Sequence, residues 1–91
     1  MAKHFNLKIF GRVQGVSFRY FVKKQADDLG VCGFVRNLTD GSVYIEAEGS
    51  EENLNKFRQF CEKGNAWSKV RDVNFEEAGI KNFTDFDILV E

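Results

Sequence analysis

The residues best suited to chemistry form one run, Gly11-Arg12-Val13-Gln14-Gly15-Val16-Ser17-Phe18-Arg19. It follows an alternating segment in which Phe5, Leu7 and Ile9 share a face, and it precedes Phe18, Phe21, Val22, Ala26 and Leu29, which are spaced as on a helix. A loop with two glycines therefore joins a strand to a helix N-terminus. Free backbone N–H groups and the positive end of a helix dipole gather at such a place, the general arrangement for holding an anion. A tetrahedral oxyanion could take donors from Gln14, Gly15, Val16, Ser17, Phe18 and Arg19, and the Arg19 guanidinium would add a fork matched to phosphate oxygens. Gly15 allows positive φ and a close approach where a Cβ would obstruct. The loop has no Walker lysine and no Gly-x-Gly-x-x-Gly, which disfavours nucleotide triphosphates and dinucleotides. On spacing alone, the same residues also fit an ordinary glycine-containing turn with an exposed arginine. Arg12 reads as a solvated or structural residue.

No other constellation competes. Cys32 and Cys61 lack metal-ligand spacing, and the lone His4 near the terminus cannot complete a zinc site with them, so no metal or cofactor is expected. Both thiols read as small core residues, and a disulfide between them stays open.

The elements that must position the loop can be read from periodicity and punctuation. Phe5 to Phe10 is a strand, and Phe18 to Leu29 is a helix stopped by Gly30. The outer face of that helix carries Lys23, Lys24, Asp27 and Asp28. Val31 to Leu38 reads as a strand, with Gly33 marking a bulge or a close backbone approach. Thr39-Asp40-Gly41 is a turn, and Ser42 to Glu48 alternates with Val43, Ile45 and Ala47 inward and Tyr44, Glu46 and Glu48 outward. Ser50 caps a second helix whose stripe is Leu54, Phe57 and Cys61, with Phe60 beside it, as far as Gly64. Residues 65–69 are a connector, Val70 to Phe75 a strand reaching toward Glu77, Gly79 to Thr84 a polar loop, and Phe86, Ile88 and Val90 a short terminal strand. The order β-α-β-β-α-β plus a last short strand predicts an α+β sandwich of ferredoxin-like type. It would form one domain over residues 1–91, with a mostly antiparallel sheet and both helices on one face.

Composition narrows the function. Thirteen basic against fourteen acidic residues leave a net charge of −1, which argues against a nucleic-acid binder that neutralises many phosphates. No apolar run is long enough to span a membrane, and Met1 leads straight toward a strand rather than a signal sequence, so a soluble cytoplasmic protein is expected. Ten phenylalanines among 43% hydrophobic residues can fill a real core.

The Gly11–Arg19 run resembles the signature loop of the acylphosphatases. A second signature of that family is similar to Gly33-Phe34-Val35-Arg36-Asn37 with Asp40-Gly41-Ser42-Val43 and Gly49, and the likeness extends over essentially the whole chain. The resemblance implies metal-free hydrolysis of acyl phosphates to carboxylate and inorganic phosphate. In that frame Arg19 and Asn37 are the catalytic residues, the arginine binding phosphate and the asparagine orienting water. Gln14 to Phe18 would cradle the phosphate through the backbone. Without the resemblance, Asn37 reads first as a residue leading into the Asp40-Gly41 turn. Ser17 stands where the family varies and is given no nucleophilic role. Tyr20 and Trp67 read as packing or rim residues, not substrate contacts. Gly64-Asn65-Ala66-Trp67-Ser68 replaces the family's usual Gly-Pro connector, a departure expected to change loop stiffness and not the site. A monomer is the simpler expectation. Two alternatives are an RNA-recognition module on the same fold, for which no aromatic-basic motif is present, and a module of a larger carbamoyl-phosphate-using enzyme, against which the Met1 start speaks.

Overall fold

The computed structural model describes residues 2–90; Met1 and Glu91, the ends of the expected domain, lie outside the described residues. The elements are β1 (Ala2–Arg12), α1 (Phe18–Leu29), β2 (Cys32–Asn37), β3 (Val43–Ser50), α2 (Glu51–Lys63), β4 (Lys69–Ala78) and β5 (Phe86–Leu89). The sheet order is β4-β1-β3-β2-β5. β1 lies antiparallel to β3 and β4, β2 antiparallel to β3, and β5 parallel to β2. This is the expected pair of interleaved βαβ units.

One face of the sheet presents Phe5, Leu7, Ile9, Val35, Val43, Ile45 and Ala47, all buried. Phe18, Val22 and Ala26 of α1 and Leu54, Phe57 and Cys61 of α2 close over it. Each set recurs at helical spacing, so each helix buries one stripe and leaves its charges outside. Lys23–Asp27 and Lys24–Asp28 pair along the outside of α1. Gly30 ends α1 in the left-handed region, and the Ser50 Oγ caps α2 by accepting from the Asn53 N–H at 3.2 Å. Both cysteines are free thiols, Cys61 buried and Cys32 half-buried. Gly33 adopts φ 146°, and a Cβ there would run into the Glu46 backbone, so the close approach is real.

The structure corrects three expectations. β1 extends three residues before and two after the alternating Phe5–Phe10 segment, β4 begins one residue before Val70 and ends at Ala78, and Gly11 and Arg12 belong to β1 beyond a register shift at Phe10/Gly11. Glu46 and Glu48 do not face water; they are only 6% and 7% exposed. The stretch after β4 is also no free polar loop. β4 and β5 are opposite edges, so residues 79–85 must cross the whole face away from the helices. Four strand spacings of about 4.8 Å make roughly 19 Å, which seven residues at about 3.3 Å each only just cover, so the segment is drawn taut like a strap. It seals His4, Glu46 and Glu48 beneath it. The Lys81 and Phe83 amides donate to the Glu48 carboxylate, and the Phe83 ring stacks on His4 with centroids 5.9 Å apart.

Candidate active site

The run between β1 and α1 is pinned at both ends by apolar anchors, Val13 and Phe18, which are fully buried. Between them Gly15 takes φ 73° and Ser17 φ 58°, so the backbone turns twice through the left-handed region. A Cβ on Gly15 would meet no protein atom, so its demand within the fold is conformational rather than steric. Upstream, Gly11 at φ 130° lets β1 approach the Lys69 carbonyl of β4, which aims the chain out of the sheet. Ser17 is the N-cap of α1, yet its hydroxyl makes no capping bond. The N–H groups from Gly15 to Tyr20 donate to no backbone acceptor among the described residues. Six donors thus converge on one short stretch at the positive end of a helix.

Both flanks of the loop are braced. The Gln14 Nε2 donates to the Leu38 and Ser42 carbonyls, each at 2.8 Å, which ties the loop to the β2–β3 turn. That turn is itself locked, since Asp40 accepts from the Ser42 amide and hydroxyl and pairs with Lys8 at 3.0 Å. The hydrogen bonds from Ser42, with Lys8 beside them, hold the Asp40 carboxyl down at about 2, so it stays an anion through the neutral range. On the other flank the Asn65 Nδ2 donates to the Val16 carbonyl at 3.0 Å. The connector therefore touches the loop, contrary to the expectation that its departure from the family pattern leaves the site alone.

Sheet register brings Asn37 to the same end of the molecule. Asn37 pairs with Val43, and Val43 with Ile9, two residues before the chain turns toward the loop. The Asn37 Oδ1 is buried and has no hydrogen-bond partner. Arg19 is half-buried; its Nη1 donates to the Leu89 carbonyl at 3.4 Å, and Leu89 stands beside Arg36 in the parallel pairing of β5 with β2. No carboxylate among the described residues lies within ion-pairing distance of Arg19. Gln14, Gly15, Val16, Ser17, Phe18, Arg19 and Asn37 all fall at this end, although the Gln14 side chain braces the loop. Arg12 is exposed, and so are Tyr20 and Trp67, which rules out packing for the two aromatics. No group of three or more His, Cys, Asp or Glu side chains among the described residues converges as metal ligands would.

A loop of amides without backbone acceptors, a half-buried arginine with no ion pair among the described residues and an orphaned carboxamide oxygen suit a tetrahedral anion with a polar molecule beside it. The family model described as acylphosphatase matches residues 5–88. The chain belongs to the acylphosphatase family. An acylphosphatase of Bacillus licheniformis is 47% identical over 85 residues, which cover 92% of this chain and 94% of the relative. One of Archaeoglobus fulgidus is 44% identical over 80 residues, 88% and 90% of the two chains. The crystal structure of acylphosphatase from Bacillus subtilis matches with a TM-score of 0.94 at 38% identity, covering 99% of this chain and 100% of that one.

The braces escaped the sequence reading. Asn65 and the Asp40–Ser42 lock act on the loop through contacts far apart in the chain, and the only local signal was a polar residue where the family pattern has proline. Leu89 contributes a backbone carbonyl, which no residue type announces.

Proposed function

We propose that this acylphosphatase hydrolyses the carboxyl–phosphate bond of acyl phosphates without a metal, with Arg19 and the Gln14–Arg19 amides holding the phosphoryl group and Asn37 orienting the water. The observation that carries the reading is the buried, partnerless Asn37 Oδ1 at the end of the sheet where the free loop amides gather. A buried acceptor without a donor is costly, by about 1–3 kcal/mol, and a water bound there would satisfy it. Accepting one proton of that water, the carboxamide leaves an oxygen lone pair free to meet phosphorus.

The water oxygen forms its bond to phosphorus as the bond to the acyl oxygen breaks, and the electron pair departs on the carboxylate. The conjugate acid of such a leaving group has a pKa of about 4, so no general acid is required. The water's proton passes to a phosphate oxygen of the substrate. Phosphoryl transfer asks mainly for position and for charge stabilisation at the equatorial oxygens, which Arg19 and the amides supply. One chain provides every group, so a monomer suffices, and two free thiols suit a reducing cytoplasm. Neither nucleic acid nor membrane is needed as a partner.

The test is turnover of benzoyl phosphate in the presence of a chelator. Arg19→Ala should lose at least about 10²-fold in rate, as when an oxyanion donor is removed. Asn37→Ala should lower kcat while inorganic phosphate still inhibits competitively. A folded wild-type protein that leaves benzoyl phosphate intact, or an Asn37→Ala variant with most of its kcat, would overturn the reading.

A further inference from the structure

An in-line displacement has two ends, and the proposed role of Asn37 marks one of them. Water enters from the side of Asn37, so on the mechanism proposed above the acyl oxygen must leave on the opposite side of the phosphorus. In the sheet order β4-β1-β3-β2-β5, Asn37 of β2 lies two strands to one side of β1. The α2–β4 connector lies on the other side, where Lys69 opens β4 by pairing with Arg12. The loop bridges the two, held by Gln14 toward the first flank and by Asn65 toward the second. On that mechanism, departure opposite Asn37 would carry the acyl group toward the connector.

The connector carries Trp67, the only tryptophan in the chain, 71% exposed. Trp67 is two residues from Asn65, so its backbone lies within about 7 Å of the residue that grips the Val16 carbonyl. The turn beneath it is rigid: the Ser68 N–H donates to the Asn65 Oδ1 and the Asn65 N–H to the Ser68 Oγ, both at 2.9 Å. A large planar ring is thus presented to solvent on a fixed support beside the anion loop. The opposite flank is polar, with Asp40, Ser42 and the Gln14 amide. An indole with two torsions on a rigid turn offers contact area at low entropic cost, and it favours flat apolar partners.

We propose that Trp67 is a specificity-determining residue, on which the acyl group of an aromatic acyl phosphate stacks while the loop holds its phosphate. An acetyl group ends too close to the carbonyl to cover the ring, so the indole discriminates by the size and flatness of the acyl group. The expected effect is read as a ratio, kcat/KM for benzoyl phosphate over kcat/KM for acetyl phosphate. Trp67→Ala should reduce that ratio about tenfold, in keeping with the strength of an exposed aromatic pair plus its buried area, and Trp67→Phe should restore most of it. The indole also reports directly. Titration with benzoylphosphonate, which cannot be hydrolysed, should shift its emission to shorter wavelength, and inorganic phosphate should reverse the shift by competition without producing one itself. A ratio unchanged in folded Trp67→Ala, or an emission unmoved by saturating benzoylphosphonate, would overturn the proposal. Wild-type protein that turned over neither substrate would remove the catalytic reading instead, leaving the emission to decide the aromatic platform alone.

Discussion

Gln14 spends both protons of its amide nitrogen on the β2–β3 turn, one on the Leu38 carbonyl and one on the Ser42 carbonyl. Each of those carbonyls also accepts a backbone amide, from Gly41 and Leu38 respectively. Truncating Gln14 therefore leaves neither acceptor orphaned, and the stability cost should be modest, about 1 kcal/mol. Its effect on the site should be larger, because the anchors Val13 and Phe18 fix the ends of the loop and not its middle. We expect Gln14→Ala to raise the KM for benzoyl phosphate and the inhibition constant of inorganic phosphate together, by roughly 3–10-fold, since a displacement of about 1 Å weakens every amide contact at once. Steady-state kinetics with phosphate as inhibitor checks this, and a rise in one constant without the other would show that the brace does not set the loop. Asn37→Asp addresses the other half of the site. A carboxylate there would face the phosphate dianion, so substrate affinity should fall more than in Asn37→Ala, and lowering the pH should recover part of the loss as the carboxyl takes up its proton.

At the level of elements, the pairing of β2 with β3 delivers Asn37, and that pairing depends on Gly33. At φ 146° a side chain is strained, and a Cβ would be driven into the Glu46 carbonyl. Gly33→Ala should lose about 3 kcal/mol or more, measured as a lower urea midpoint, because either the strand pair parts locally or the backbone moves. Local pattern carried this much: Gly33 broke an otherwise clean strand, and Phe18, Val22, Ala26, Leu54, Phe57 and Cys61 announced their helices by spacing. The burial of Glu46 and Glu48 could not be read that way. They alternate with Val43, Ile45 and Ala47 as solvent-facing residues do, and the strap that covers them follows only from β4 and β5 being opposite edges of the sheet. That is a statement about strand order, carried by pairings up to 74 residues apart along the chain, that of His4 with Ala78. The site divides in the same way. The loop and Asn37 form contiguous motifs, whereas the grip of Asn65 on Val16 spans 49 residues, and the connector's sequence says nothing of its destination.

On the scale of the whole molecule, the strap encloses a buried charged cluster at one end of the far face of the sheet. The fully buried His4 lies between two glutamates, with Nδ1 2.8 Å from the Glu48 Oε2 and Nε2 3.2 Å from the Glu46 Oε1. Lys81 adds its ammonium to Glu46 at 2.8 Å, and the Tyr44 hydroxyl donates to the same carboxylate at 2.8 Å. Burial alone would raise the pKa of both glutamates. For Glu46 the hydrogen bonds from Lys81 and Tyr44 outweigh it, and for Glu48 the amides of Lys81 and Phe83 and the His4 ring do, so both are held below the ordinary carboxylate value. Tyr44 moves the opposite way, up to about 12, through burial and the neighbouring Glu46. Groups with depressed folded pKa values contribute stability that is complete above their unfolded pKa of about 4.3 and is lost as the pH falls through the folded values. Unfolding free energy should therefore be level from neutral pH down to about 5 and decline below about 4.3. Glu48→Gln removes one of the two depressed carboxylates beneath the strap, leaving Glu46 there and Asp40 at the β2–β3 turn, and weakens the bonds to both strap amides, so it should cost about 2 kcal/mol at pH 7 and leave a shallower acid limb. The strap ends in β5, whose Leu89 carbonyl meets Arg19, so the same substitution should raise the KM for benzoyl phosphate at pH 7. Urea titrations at several pH values and one kinetic comparison decide both points, and a Glu48→Gln protein with the wild-type acid limb would show that the strap is not held by that charge.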